Sequence, residues 1–276
     1  MLFFNKKENI RHSSAAEAHA ELFKLGGGGW PDFEGLLRDI YVAIIRRGDT
    51  VIDLGCGEGT HLFQMASAAG VEGLAIGVEA AAPVYEKCLE ELRKKPNLRR
   101  VVELHNVAVS DTIGFDDFVF VPNAPGLSGF KRRPAAFQYA VVEGKVPTLP
   151  LDYLFGDRWK SPSFIKMDLS GAEYKALIGA THILASRPIV AFEFNHEYPA
   201  CYGFGAEELM ARFREYEVFD LLGYKYEEPR QFTASQVWNY IAIPVAAPEK
   251  IKRSIRLRAR DFLLSCSRDH ASLAAW

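Results

Sequence analysis

Three glycines at alternate positions, Gly55, Gly57 and Gly59, follow Asp53 in the stretch VIDLGCGEGTHLFQMA, Val51 to Ala66. An apolar run enters this segment and a helix-like pattern leaves it, so bare backbone amides stand at a helix N-terminus, which favours negative charge. The spacing departs from a dinucleotide fingerprint, because Thr60 occupies the position of its third small residue. An adenosyl ligand with an amino-acid tail asks for amides at its carboxylate and an acid near its ammonium. Asp53 is placed to be that acid, directly or through water. Glu79 ends the next apolar run, GLAIGVEA, twenty residues beyond Gly59. A carboxylate there can accept both ribose hydroxyls and disfavours a 2′-phosphate. Together these acids and glycines point to S-adenosylmethionine, with NAD as the rival and a ligand-free glycine turn as the structural alternative. Cys56 and Ala80 are assigned to the same cofactor surface. Asn106 and Val107, at the end of a third strand, are the expected neighbours of the adenine ring, against ordinary strand-end packing.

A second constellation lies in FIKMDLSGAEYKALIGA. A buried strand carries Lys166 and ends at Asp168; Gly171 permits a tight turn, and Glu173 opens a helix. In a doubly wound sheet the crevice lies where strand order reverses. If this is the fourth strand, Asp168 faces the glycine loop across that crevice.

The elements that must position these groups can be read from periodicity. Ser14 to Leu25 is expected to be a helix, with Ser14 and Glu17 as a capping box and Gly26 to Gly29 as its end and a hinge. A second helix is expected from Pro31 to about Gly48. The two either cap a pocket or cover a sheet edge. From Thr50, β-branched runs alternate with amphipathic helices, the pattern of a parallel sheet covered on both faces. Residues 114–147 depart from it, with two expected antiparallel strands around the loop NAPGLSGFKRRP. The α/β pattern resumes with SFIKMD, the helix AEYKALIGATHILAS, the strand PIVAFEFN and a helix around AEELMARFREY. EVFDLLG and VWNYIAIP follow without a helical crossover and should form an antiparallel edge hairpin. The predicted architecture is a Rossmann-like α/β fold with a mostly parallel seven-stranded sheet, organised as capping helices (1–48), a cofactor-binding domain (49–246) and a basic amphipathic helix (247–276).

Composition sets the outer bounds. The chain has 276 residues and net charge −2, so global charge argues neither for nor against nucleic acid. Cys56, Cys88, Cys201 and Cys266 form no zinc-spaced cluster, and a disulfide framework is not expected, which suits a reducing compartment. Without an apolar run of about 20 residues or signal-peptide order, the expected location is the cytoplasm.

The ordered series VIDLGCGEG, GVEA, AVSD (Ala108 to Asp111), GLSG (Gly126 to Gly129) and IKMDLSGAE resembles the FkbM-type methyltransferases. The resemblance runs from about Val51 to Phe194, and VWNYIAIP looks like the family's last strand. Ser170 departs from it, standing where the family often has glutamate. The resemblance implies a class I Rossmann-like fold and methyl transfer from S-adenosylmethionine to an oxygen, often a hydroxyl of a sugar or natural product; it does not name the acceptor.

Such a hydroxyl is a poor nucleophile and should need a general base or a metal. Asp168 is the first candidate, as base or as the group orienting the hydroxyl. His196 is the second, against the reading of a surface-loop histidine. Glu193 could reach the crevice, and with Asp168 it could hold Mg²⁺, although no spacing demands a metal. Lys166 is expected to pair with Glu173 or another acid, and Glu173 either serves the site or complements its helix dipole.

The tail PEKIKRSIRLRARDFLLSCS is a basic amphipathic helix, either a solvated face over an apolar seam or a contact for an anionic membrane surface. The rival functions are an NAD-dependent oxidoreductase and an RNA methyltransferase using the KRRP run at Lys131 and the tail. The expected partner is a small-molecule or carbohydrate acceptor rather than nucleic acid, and a homo-oligomer is compatible with the sequence.

Overall fold

The structure is a computed structural model and describes residues 31–273 apart from 157–160, 196 and 236, together with Ala15, His19 and Ala20. The Ser14/Glu17 capping box and the Gly26 to Gly29 hinge lie outside the described residues. The strands are β1 (Thr50–Leu54), β2 (Leu74–Val78), β3 (Val102–His105), β4 (Ala108–Val109), β5 (Gly114–Phe120) and β6 (Val142–Leu149), followed by β7 (Phe164–Met167), β8 (Ile189–Glu193), β9 (Tyr216–Asp220), β10 (Lys225–Tyr226) and β11 (Asn239–Pro244). Helix α1 (Phe33–Ile44) precedes them; α2 (Thr60–Ala69) and α3 (Ala82–Arg93) follow β1 and β2. The short helices α4 (Leu151–Phe155), α5 (Glu173–Ile178), α6 (Thr181–Ala185), α7 (Tyr198–Tyr202), α8 (Ala206–Ala211) and α9 (Pro229–Ala234) join the later strands, and α10 (Glu249–Leu273) comes last.

The main sheet has the order β10-β9-β11-β8-β7-β1-β2-β3, with β11 antiparallel to both β8 and β9. It contains the seven expected strands and a two-residue eighth, β10, at the edge. Strand order reverses between β1 and β7, whose parallel register pairs Asp53 with Lys166. Successive residues of β1 serve opposite cores: Val51 packs with α1, α2 and α10, and Ile52 with the helices of the other face. This double burial explains why the strands read as continuous apolar runs.

Three local differences have physical causes. Helix α1 starts at Phe33 rather than Pro31, because the Asp32 carboxylate accepts the Gly35 amide at 2.8 Å and caps the helix there. The helix expected from Ala172 to Ser186 breaks into α5 and α6 at Gly179, where a Cβ would fall 2.2 Å from the Ser110 carbonyl oxygen. The third strand also splits. After His105 the chain leaves the main sheet, and Ala108–Val109 pairs in parallel with β6. β4, β6 and β5 form a second, three-stranded sheet, in which β5 and β6 are antiparallel as expected.

Candidate functional site

The ends of β1, β2 and β7, with the β5–β6 region, surround one cavity. Gly55, Gly57, Glu79, Ala80, Val107 and Asp168 all line it. Gly55 has φ +74°, and a Cβ on it would lie 2.0 Å from the Asp168 carbonyl oxygen. The glycine lets two strand ends meet at the reversal point. The Asp168 amide donates to the Leu54 carbonyl at 3.0 Å and fixes that meeting. Helix α2 begins after Gly59 with no side-chain cap, and its Leu62 amide is directed at the buried Asp53 carboxylate, whose pKa burial raises and that amide lowers.

Glu79 is held by its own neighbourhood. Its carboxylate accepts the Gly57 amide at 3.1 Å and the Ala81 amide at 2.8 Å, and burial pushes its pKa up. Two amides leave acceptor capacity on a carboxylate for a diol. Val107 is buried on the cavity wall, whereas Asn106 is exposed and donates to the Glu79 and Ala80 carbonyls at 2.8 and 3.2 Å. Its side chain clips the turn after β2. Cys56 is buried behind the loop, near Cys88, with its thiol pKa raised by that neighbour and by burial.

Asp53 is fully buried behind the cavity wall, and neither oxygen has a hydrogen-bond partner among the described residues. Lys166 answers its charge at 3.8 Å and that of Asp168 at 3.5 Å. Of the expected partners, Glu173 or another acid, Lys166 takes the other acids, because it lies on β7 beside β1 while Glu173 turns into its own loop. Burial works against the Lys166 ammonium, but Asp168 and Asp53 outweigh it and raise its pKa. The Asp168 side chain is about half open, 47% exposed, and Lys166 with a Glu193 hydrogen bond outweighs desolvation to lower its pKa. Glu193, at the end of β8, is shifted the other way, first by burial and then by Asp168. The two neighbouring carboxyls are therefore shifted in opposite directions, Asp168 down and Glu193 up. Glu173 is 1% exposed and accepts the Leu169 and Gly171 amides at 2.7 and 2.9 Å, closing the turn after Asp168. Burial nevertheless pushes its pKa up to about 8. His196 lies outside the described residues. No group of three or more His, Cys, Asp or Glu side chains with the geometry of a metal site occurs among the described residues.

Sequence reasoning missed the side chains that join the β5–β6 region to this acid pair. Arg133 is 7% exposed and donates to the Tyr198 hydroxyl at 3.0 Å, the Gly126 carbonyl at 2.8 Å and the Ser170 hydroxyl at 3.2 Å. Tyr198 in turn donates to Glu193 at 2.8 Å. Ser170, in the left-handed region at φ 56°, also donates to Gly126 at 3.1 Å. Thus one cation of KRRP is turned inward. The run EFNHEYPACY, which places Tyr198 five residues after Glu193, was the available signal. On the other flank, His61 bridges Glu34 at 2.9 Å and Tyr41 at 3.1 Å.

A family model described as "Methyltransferase FkbM domain" matches residues 60–226. The ribosomal RNA large subunit methyltransferase E of Cenarchaeum symbiosum (strain A) is 36% identical over 88 residues, covering 31% of this chain and 42% of that protein. A solved FkbM methyltransferase from Methylobacillus flagellatus KT is similar at 16% identity and TM-score 0.45, covering 70% of this chain and 43% of the other. The O-methyltransferase TomG from Streptomyces achromogenes, solved with S-adenosylmethionine, has 10% identity and TM-score 0.47, covering 86% of this chain and 92% of that one. The chain thus spans less than half the length of the first two.

Proposed function

This chain belongs to the FkbM methyltransferase family, and from that premise we propose that it transfers a methyl group from S-adenosylmethionine to a hydroxyl oxygen of a sugar, glycolipid, polysaccharide or natural product. One observation carries the reading: Gly55, Gly57, Glu79 and Asp168 line a single cavity at the strand-order reversal. The residues fit the nucleoside. Glu79 would hold the ribose hydroxyls, Val107 and Ala80 would flank the adenine, and the turn at Gly55 and Gly57 would meet the amino-acid tail. Asp53 would act on the ammonium from behind the loop, through water. Residues 49–246 are read as the catalytic domain.

The bound sulfonium supplies an already activated methyl group. What remains for the chain is alignment, exclusion of water and handling of one proton. Asp168, charged and half open, is placed to accept a hydrogen bond from the acceptor hydroxyl and orient it. As the hydroxyl oxygen attacks, Asp168 would take up its proton and become neutral, and Lys166 would keep Asp168 charged before that step. This arrangement performs the proton step with the chain's own side chains; Mg²⁺ between Asp168 and Glu193 remains the alternative to test.

A second reading, ribosomal RNA as acceptor, is favoured by the 36% identity over 88 residues to an RNA methyltransferase. Calorimetry with S-adenosylhomocysteine and with NAD tests the cofactor. Heat from NAD alone would return the chain to the oxidoreductase reading. Labelled S-adenosylmethionine offered with total RNA, glycan or lipid extracts, with and without Mg²⁺, tests the acceptor and the metal. Label in RNA alone would replace the hydroxyl-metabolite reading.

A further inference from the structure

Helix α10 divides into two faces. Ile255, Ala259 and Leu263, exposed by 2%, 0% and 6%, turn inward towards α1, and the Phe262 ring lies 5.9 Å from that of Phe33. The opposite face carries Lys250, Arg253 and Arg258, all exposed, with Leu257 among them at 43% exposure. Lys252 and Arg256 at the flanks are answered by Glu217 and Glu249. The three outward cations have no ion-pair partner among the described residues. The 25-residue helix carries seven Lys or Arg and three acids, a net +4. The whole chain is −2, so the remainder is −6. An anionic surface would attract this face and repel the rest of the molecule, which fixes one orientation.

We propose that the outward face of α10 docks the protein on anionic lipid headgroups at a membrane surface. Lys250 to Arg258 span about 12 Å of a straight helix, a convex row suited to a plane. The exposed apolar residues at hand, Leu257 and the preceding Val245 at 58% exposure, are aliphatic. Such groups enter the headgroup boundary. Single-stranded nucleic acid is instead gripped by aromatic stacking in a groove, and the one aromatic side chain of α10, Phe262, is turned inward against Phe33. No helix among the described residues is long and apolar enough to cross a membrane, so this contact is peripheral.

The test is co-sedimentation of the full chain with vesicles of phosphatidylcholine containing 30% phosphatidylglycerol, against pure phosphatidylcholine. Binding is expected to the anionic vesicles alone and to weaken as salt rises. Each lysine or arginine at such a surface contributes about fivefold in partitioning, so Lys250→Gln/Arg253→Gln/Arg258→Gln should bind about a hundredfold more weakly. These side chains are exposed, and unchanged melting temperature and S-adenosylhomocysteine affinity would confirm an intact fold. Equal binding by the triple variant, equal binding to neutral vesicles, or binding to a single-stranded RNA oligonucleotide but not to vesicles would each overturn the proposal. None of these outcomes touches the cofactor assignment.

Discussion

The two walls of the crevice are built from different materials. On the wall proposed for the cofactor the groups are near neighbours in the chain: the turn after β1, whose Gly55 and Cys56 amides bond to the Val78 carbonyl, and Glu79, held by the Gly57 and Ala81 amides. On the acceptor wall they are side chains from separate elements, with Lys166 and Asp168 from β7, Glu193 from β8, Tyr198 from α7 and Arg133 from the β5–β6 loop. Backbone groups are fixed by local conformation and tolerate changes of partner. A buried side-chain network depends on every member, because each unpaired group costs its full desolvation. The cofactor wall is a local device and the acceptor wall a collective one.

That contrast can be broken or sharpened by substitution. The largest effect is expected at Asp168: Asp168→Asn should lower methyl transfer to a responsive acceptor by about 10²–10⁴-fold while S-adenosylhomocysteine affinity stays within a few-fold. Unchanged turnover would remove Asp168 from the chemistry. Gly55→Ala should follow at about 2–4 kcal/mol of stability, from a disfavoured φ and the contact with Asp168, or roughly 5–15 °C in melting temperature. A variant as stable as the parent would show that the strand ends need not meet. Glu79→Ala should cost about 1–3 kcal/mol of cofactor affinity, read by calorimetry, beside a smaller loss of stability from the freed Gly57 and Ala81 amides. Loss of fold instead would make Glu79 a structural clasp.

The smallest effect concerns pH. Glu173 has its folded pKa raised from 4.5 to about 8, so the native state binds the proton more tightly and stability falls as pH climbs through that interval. Glu173→Gln should flatten the melting-temperature slope between about pH 5 and 8. An unchanged slope would place the titration elsewhere.

The glycines and acids that line the cavity were legible in the sequence because their signals are contiguous. Alternating glycines, an acid at each strand end and the spacing between them all report local backbone geometry. Lys166 has one partner two residues on, Asp168 at 3.5 Å, and one that was not legible, Asp53 at 3.8 Å. Glu173 is nearer in sequence than Asp53, but parallel pairing of β7 with β1 sets Asp53 directly opposite Lys166. Arg133 read as one cation in a basic run; only the fold of the β5–β6 region turns it towards Tyr198 and Ser170. The close approach of Gly179 to the Ser110 carbonyl, 69 positions away, is likewise one that no helical periodicity could announce.

By itself the sequence determined the alternation of strands and helices, the bare turn after Asp53 and the acids at the strand ends. Hydrophobic period and glycine spacing act over a few residues and need no partner. Tertiary structure decided which acids share a cation, which of two neighbouring carboxyls has its pKa raised and which arginine points inward. Those outcomes depend on burial and on distances between elements remote in the chain, and both come into being only when the sheet closes over its two cores.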